Sequence, residues 1–286
     1  MDRVTKAALK QSAQGGHLHP RVERVLFDMI DTLGLEPLDD SSYVRVFDDF
    51  QQSAVADDSW ANQWISFDGA GTSAASAAIV AAPEGKVDLV SGTAGTAGVA
   101  DAACMSAVAL TKGQAVSLGQ IVFEARVATS HITGATISVG LSDKIASDAA
   151  EAVLHTVKAE VIADDGLTVS NALSFCQDSE ATDVDAWYCT SENAGTIAHA
   201  AAAADCKTNT GPTVDTYQVL RIEVDATGDA RFYVDGVLKH TELTAVATTA
   251  VLVPYIAVTA EDGTPVSTTL SVDYIDFIQV RNPSNA

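Results

Sequence analysis

Aromatic side chains make up only 6% of this 286-residue chain, and positive charge is scarce, with 16 Lys and Arg against 38 Asp and Glu. The formal net charge of −22 repels phosphate backbones and anionic lipid, which argues against nucleic acid or a membrane as partner. No apolar run reaches the roughly 18 residues that a spanning helix needs. Even Ala200–Ala204 is brief and flanked by His199 and Asp205. Arg3, Lys6 and Lys10 are not followed by the apolar core of a secretory signal, so synthesis in a cytoplasm is expected. The four cysteines, Cys104, Cys176, Cys189 and Cys206, form no C-x-x-C pair and no zinc-like cluster. Reduced thiols packed as small apolar groups are expected. Gly92, Gly95 and Gly98 lack the Lys-Ser/Thr of a phosphate loop. No segment repeats at the period of about 20–50 residues that marks solenoids.

What is present is a small-residue, β-tolerant composition, 47% hydrophobic and rich in Ala, Val, Thr and Gly. The plainest signal lies in Tyr217–His240. Leu220, Ile222 and Val224 alternate with Arg221, Glu223 and Asp225, the period-two pattern of a strand with one buried face. Ala226-Thr227-Gly228-Asp229 supplies a turn, Phe232 and Val234 alternate with Arg231, Tyr233 and Asp235, and Asp235-Gly236 closes a second turn. Two successive hairpins make a β-meander. Further strands are expected at Val44–Phe50, Ala103–Leu110, Gln120–Thr129, Ala135–Leu141, Ala172–Cys176, Ala186–Thr190, Val251–Val258 and Leu270–Val280. Trp60, Trp64 and Phe67 read as core anchors, Asp143–His155 as a loop with a helical turn, and Ser191–Pro212 as a long excursion.

Residues 1–42 differ. Pro20 suits a first helical turn, and Val22, Val25, Leu26, Met29, Ile30 and Leu33 form one apolar stripe up to the Gly34 stop. That stripe needs a partner surface, and these six residues are the candidate partner-binding set. The expected organisation is an arm over 1–42 and one β-sandwich domain over 43–286.

The meander ending in Phe-Tyr-Val-Asp-Gly resembles a hairpin of the concanavalin A-like (laminin G-like) jelly roll. Phe47-Asp48-Asp49-Phe50 resembles its first strand and Ser271–Val280 its last. The resemblance implies an all-β, antiparallel jelly-roll sandwich with a short helical N-terminal arm. That fold serves lectins, glycanases and viral structural proteins, so function must come from sites. Retaining glycanases of this fold carry Glu-x-Asp-x-x-Glu on one strand. The nearest match is Glu223-Val224-Asp225, where Ala226-Thr227-Gly228 replaces the second Glu, and a solvated strand face is the expected role.

Other candidates are weighed the same way. Asp178, Glu180, Asp183 and Asp185 could gather round calcium but lack EF-hand spacing. The six histidines, His17, His19, His131, His155, His199 and His240, show no i, i+4 pair, and no Gly-x-Ser-x-Gly elbow supports a triad. Trp60, Trp64, Trp187, Tyr188 and Tyr255 could serve a sugar as platforms, though core roles are commoner. Cys176 and Cys189 are expected to face each other across a hairpin. With no carboxylate dyad on one strand and no implied cofactor or metal, the chain reads as a non-enzyme. The overall cast is similar to tailed-phage virion proteins: a capsid decoration (cement) protein made in a host cytoplasm, partnered by a major capsid protein or other virion proteins. A homotrimer is favoured. A lectin-like module binding a host glycan is the alternative, and a glycoside hydrolase is the least expected reading.

Overall fold

The structure, a computed structural model, describes residues 43–50, 59–60, 64–68, 76–80, 85–91, 102–107, 115–143, 153–164, 169–260 and 267–280. The 1–42 arm, with Val22, Val25, Leu26, Met29, Ile30 and Leu33, lies outside the described residues. The strands are β1 (Tyr43–Asp48), β2 (Ser59–Trp60), β3 (Trp64–Asp68), β4 (Ser76–Val80), β5 (Lys86–Val90) and β6 (Ala102–Ala107). Then come β7 (Ile121–Thr129), β8 (Ala135–Ser142), β9 (His155–Lys158), β10 (Val161–Asp164), β11 (Asn171–Asp178) and β12 (Tyr188–Asn193). The chain continues through β13 (Thr196–Ile197), β14 (Gln218–Val224), β15 (Ala230–Val234), β16 (Val237–Glu242), β17 (Val253–Ala260) and β18 (Thr269–Val280). Among the described residues the only helical turns are 3₁₀, at Val116–Leu118 and Ala203–Cys206.

These strands build two antiparallel eight-stranded sheets. One runs β16-β15-β14-β7-β18-β5-β4, with β1 also on β18, and the other β13-β12-β11-β8-β17-β6-β3-β2. The ribbon β9–β10 belongs to neither. This is the all-β antiparallel sandwich expected from the alternation. Phe123, Phe175, Phe232 and Phe277 are fully buried, each contributing about 1.5–3 kcal/mol of transfer free energy. Phe175 of the second sheet meets Phe232 of the first edge-on at 5.4 Å between centroids, which fixes which face of each sheet looks inward.

The meander forms as its pattern requires. Asp225 accepts hydrogen bonds from the N–H groups of Thr227 and Asp229, at 2.9 and 3.1 Å. Gly228 has φ +87°, and a Cβ there would meet the Val246 carbonyl oxygen at 2.3 Å, so only glycine fits. Asp235 and Gly236 both have positive φ, 51° and 78°, the signature of a two-residue hairpin turn whose twist matches its strands.

Elsewhere the structure revises the expectations. The end of the supposed loop 143–155 starts β9, and the excursion from Ser191 first completes β12 before turning through β13. The Cys176–Cys189 hairpin exists, but its register pairs Cys176 with Tyr188 and Phe175 with Cys189. The two cysteines therefore leave opposite faces of the sheet. Both are thiols outside any disulfide, as is Cys206.

Candidate functional site

The outer face of the second sheet carries the side chains that alternate with its core residues. On β11 these are Ala172, Ser174, Cys176 and Asp178, and opposite them on β12 stand Glu192, Thr190 and Tyr188. Over β11 and β12 solvent does not reach this face, because residues 153–164 lie across it. Val153 and Leu154 pack on Val169, Ala172, Tyr255 and Ala257. The Leu154 N–H donates to Ser138 Oγ at 3.2 Å, and the Cys176 thiol donates to the His155 carbonyl at 3.2 Å. Asp178 fixes the ribbon from below, its carboxylate accepting the N–H groups of Val157 (2.7 Å) and Glu180 (2.8 Å).

Under this roof lies a polar chain. Ser174 Oγ is 2.7 Å from Thr190 Oγ1, which is 3.0 Å from His155 Nδ1. The other ring nitrogen, Nε2, lies 3.5 Å from Glu192 Oε2. Ribbon register sets Asp164 directly opposite His155. One ligand atom each of His155, Asp164 and Glu192 falls within 4.8 Å of the other two. His155 and Glu192 are buried, at 0% and 1% exposure, while Asp164 is exposed. His155 Nε2 and Glu192 Oε2 have no hydrogen-bond partner. The Asp164 carboxyl is held above its ordinary value of 3.8, by partial burial first and then by the negative charge of Glu192, with His155 opposing.

The order Thr190–His155–Glu192 has the form of a nucleophile, base and orienting acid. Thr190, however, is fully buried and also donates to the Ser174 carbonyl at 3.3 Å. Its hydroxyl is taken up by the Ser174 carbonyl and the His155 ring, so its role is to hold the imidazole. The chemically open group is Asp164, and the buried carboxylate behind it is Glu192. Such a pair can trade a proton and present one acid and one base.

The residues singled out from sequence lie elsewhere. Glu223 faces out from the first sheet, paired with Arg221 at 3.1 Å and accepting the Tyr233 hydroxyl at 3.0 Å; with Asp225 capping a turn, the solvated-face reading stands. Three of the four calcium candidates are spoken for: Glu180 pairs with Lys158 at 2.6 Å, Asp183 with Lys207 at 3.1 Å, and Asp178 holds the ribbon, while Asp185 is exposed. Trp187, Tyr188 and Tyr255 are all buried, and Trp187 Nε1 donates to Gln218 Oε1 at 3.1 Å. They are core, not platforms. His155 and Glu192 went unremarked in the sequence as a pair because the two lie 37 positions apart on different elements.

The sequence matches no protein-family profile and no curated protein. Solved structures do match by shape. A β-glucanase of Bacillus licheniformis aligns with a TM-score of 0.53 at 12% identity, over 82% of this chain and 97% of its own. LamA from Z. galactanivorans, in complex with laminaritriose and laminaritetraose, aligns at 0.53 and 9% identity over 83% and 99%. A prokaryotic β-1,3-1,4-glucanase (lichenase) derived from a mouse hindgut metagenome aligns at 0.52 and 9% over 82% and 98%. The concanavalin A-like sandwich is thus the fold of this chain. The expected non-enzymatic virion role is corrected by the same finding. Proteins of matching shape are chiefly glycan-cleaving enzymes, and nothing in the comparisons supports a phage capsid decoration protein or a homotrimer. The expectation of a non-enzyme rested on the lack of two carboxylates on one strand. That lack does not exclude a pair drawn from two elements, as Asp164 of β10 and Glu192 of β12 are.

Proposed function

We propose that this chain is a glycoside hydrolase acting on a β-linked glucan, with Asp164 and Glu192 as its carboxylate pair. The observation that carries the reading is that pair: one exposed carboxyl with a raised pKa beside one buried carboxylate, their nearest oxygens within 4.8 Å. The retaining mechanism needs its two carboxyls about 5–5.5 Å apart, so this hydrogen-bonded pair has to part a little to take a sugar between them. The β-glucanase names of the similarly shaped proteins support the substrate class.

In this mechanism Asp164 gives its proton to the glycosidic oxygen as the bond to the anomeric carbon breaks. A Glu192 oxygen adds to that carbon and forms the glycosyl-enzyme. Asp164, now ionised, takes a proton from the attacking water, and the Glu192 ester bond breaks to release the sugar. His155, held by Thr190, positions the Glu192 carboxylate. Substrate must reach Glu192 past the β9–β10 ribbon. That ribbon carries Asp164 and is held by Asp178 and by Ile162 N–H on the Ala200 carbonyl, so the sugar enters at its exposed Asp164 end.

The test is release of reducing ends from mixed-linkage β-glucan and from laminarin by the purified chain. Asp164→Asn and Glu192→Gln should each lower the rate at least ~100-fold, with near-ultraviolet circular dichroism unchanged. Asp164 is exposed, so its variant is the cleaner probe. No release from either glucan above blank, or activity untouched in both variants, refutes the reading.

A further inference from the structure

The second group of metal-capable side chains stands apart from the carboxylate pair. His199 follows β13, at the edge of the second sheet, while His240 and Glu242 lie on β16, at the edge of the first. One side of the sandwich therefore ends in two edge strands whose polar side chains converge. His199 Nε2 is 2.7 Å and His240 Nε2 3.1 Å from the same oxygen, Glu242 Oε2. The imidazoles meet edge-to-face at 5.9 Å, and the His240 ring leans on buried Phe232 at 6.0 Å. One ligand atom from each residue lies within 4.8 Å of the others. The side chains are partly open, at 27%, 16% and 17% exposure.

We propose that His199, His240 and Glu242 form a binding site for a zinc-class divalent metal ion that ties together the edges of the two sheets. Two imidazoles and one carboxylate, with solvent at a fourth position, are a donor set that zinc takes. Imidazole nitrogen selects zinc, copper or nickel over calcium and magnesium. Tetrahedral bonds of about 2.0–2.1 Å place donors ~3.3 Å apart, so the observed 2.7 and 3.1 Å need to open by only a few tenths of an ångström.

The experiment titrates chelator-treated, dialysed full-length chain with ZnCl₂ by calorimetry, and repeats it with CoCl₂ while recording visible absorption. One ion per chain is expected, with a Kd below about 10 µM, tetrahedral-type cobalt bands and a higher Tm with zinc. His199→Ala, on a loop and partly exposed, should bind at least ~100-fold more weakly while folding normally, and Glu242→Gln should lose the cobalt spectrum. Glu192→Gln should bind as the unmodified chain does. Absence of stoichiometric binding, or binding that survives His199→Ala but is lost in Glu192→Gln, overturns the assignment.

Discussion

Removing the Asp178 carboxylate should loosen the roof over the carboxylate pair. Asp178 is fully buried and accepts two backbone N–H groups, Val157 at 2.7 Å and Glu180 at 2.8 Å. Val157 is itself fully buried, so in Asp178→Ala its amide finds no water and stays unpaired, at a cost of about 1–3 kcal/mol. Glu180 is exposed, and its amide can turn to solvent, which limits that loss to about 0.5–1.5 kcal/mol. Against both stands the relief of a desolvated carboxylate, since burial already raises the Asp178 pKa above 3.8 despite these two donors. The balance is a net loss of about 1–3 kcal/mol. Asp178→Asn keeps one acceptor oxygen and sets its NH₂ against the other amide, for a loss of about 1–2 kcal/mol. Urea unfolding measures both. Hydrogen exchange should also quicken at Val157 and Ile162 in the alanine variant, more than at Ile222 in the first sheet. A loss below about 1 kcal/mol, or equal losses in the two variants, refutes the account of Asp178 as the ribbon's anchor.

The carboxyls of Asp164, Asp178 and Asp276 all sit above 3.8, with burial the largest cause in each. The native state holds these protons more firmly than the unfolded chain, so their contribution is full below 3.8 and lost as pH rises through the raised values. Asp225 opposes them: burial pulls it up, but donors from Thr227 and Asp229 carry it below 3.8, so its contribution fails only at more acid pH. Relief of the −22 self-repulsion acts with the first group, so urea midpoints should rise from about pH 7.5 to pH 5; a fall over that range counts against the raised carboxyls. Gly140→Ala should cost about 3 kcal/mol or more, or abolish soluble expression, because its Cβ would sit 1.9 Å from the Leu173 carbonyl oxygen. Gly195→Ala meets nothing within 4 Å and bears only the strain of φ +80°, about 1–2 kcal/mol; equal urea midpoints for the two variants would refute the steric argument.

Strands with one wet face were legible because alternation reports burial directly. Leu220, Ile222 and Val224 point into the sandwich, while Arg221 and Glu223 pair with each other outside. The same rule fails on β11 and β12, nearly all of whose residues are buried. Once the ribbon covers the outer face, Tyr188 and Thr190 are as dry as Cys189, and no pattern says which side faces the core. The hairpin register suffered for the same reason. Its loop has no Asn-Gly or Asp-Gly to set a turn, and packing of Trp187 and Phe175 edge-on at 6.2 Å accompanies a pairing one residue from the expected one. The β9–β10 ribbon was unreadable because its short strands have no sheet partner to impose a long alternating run.

Neither polar cluster has a spacing that a sequence could show, since each draws on separate elements joined only by the fold. Their energetics differ in a way that bears on function. Around Glu242 both imidazoles are within hydrogen-bonding distance of its carboxylate, and partial exposure keeps the charge hydrated. Glu192 and His155 have neither advantage. Their facing atoms are buried, 3.5 Å apart and without hydrogen-bond partners, at a cost of about 1–3 kcal/mol for each unpaired group. An apolar pair of the same volume would hold the ribbon to the sheet at least as well, and Val153 and Leu154 already do so beside them. A fold gains nothing in packing from keeping an imidazole and a carboxylate there. Violations of this kind concentrate where a site must carry a proton or meet a ligand. The one exposed member of the group, Asp164, is the route by which either would arrive.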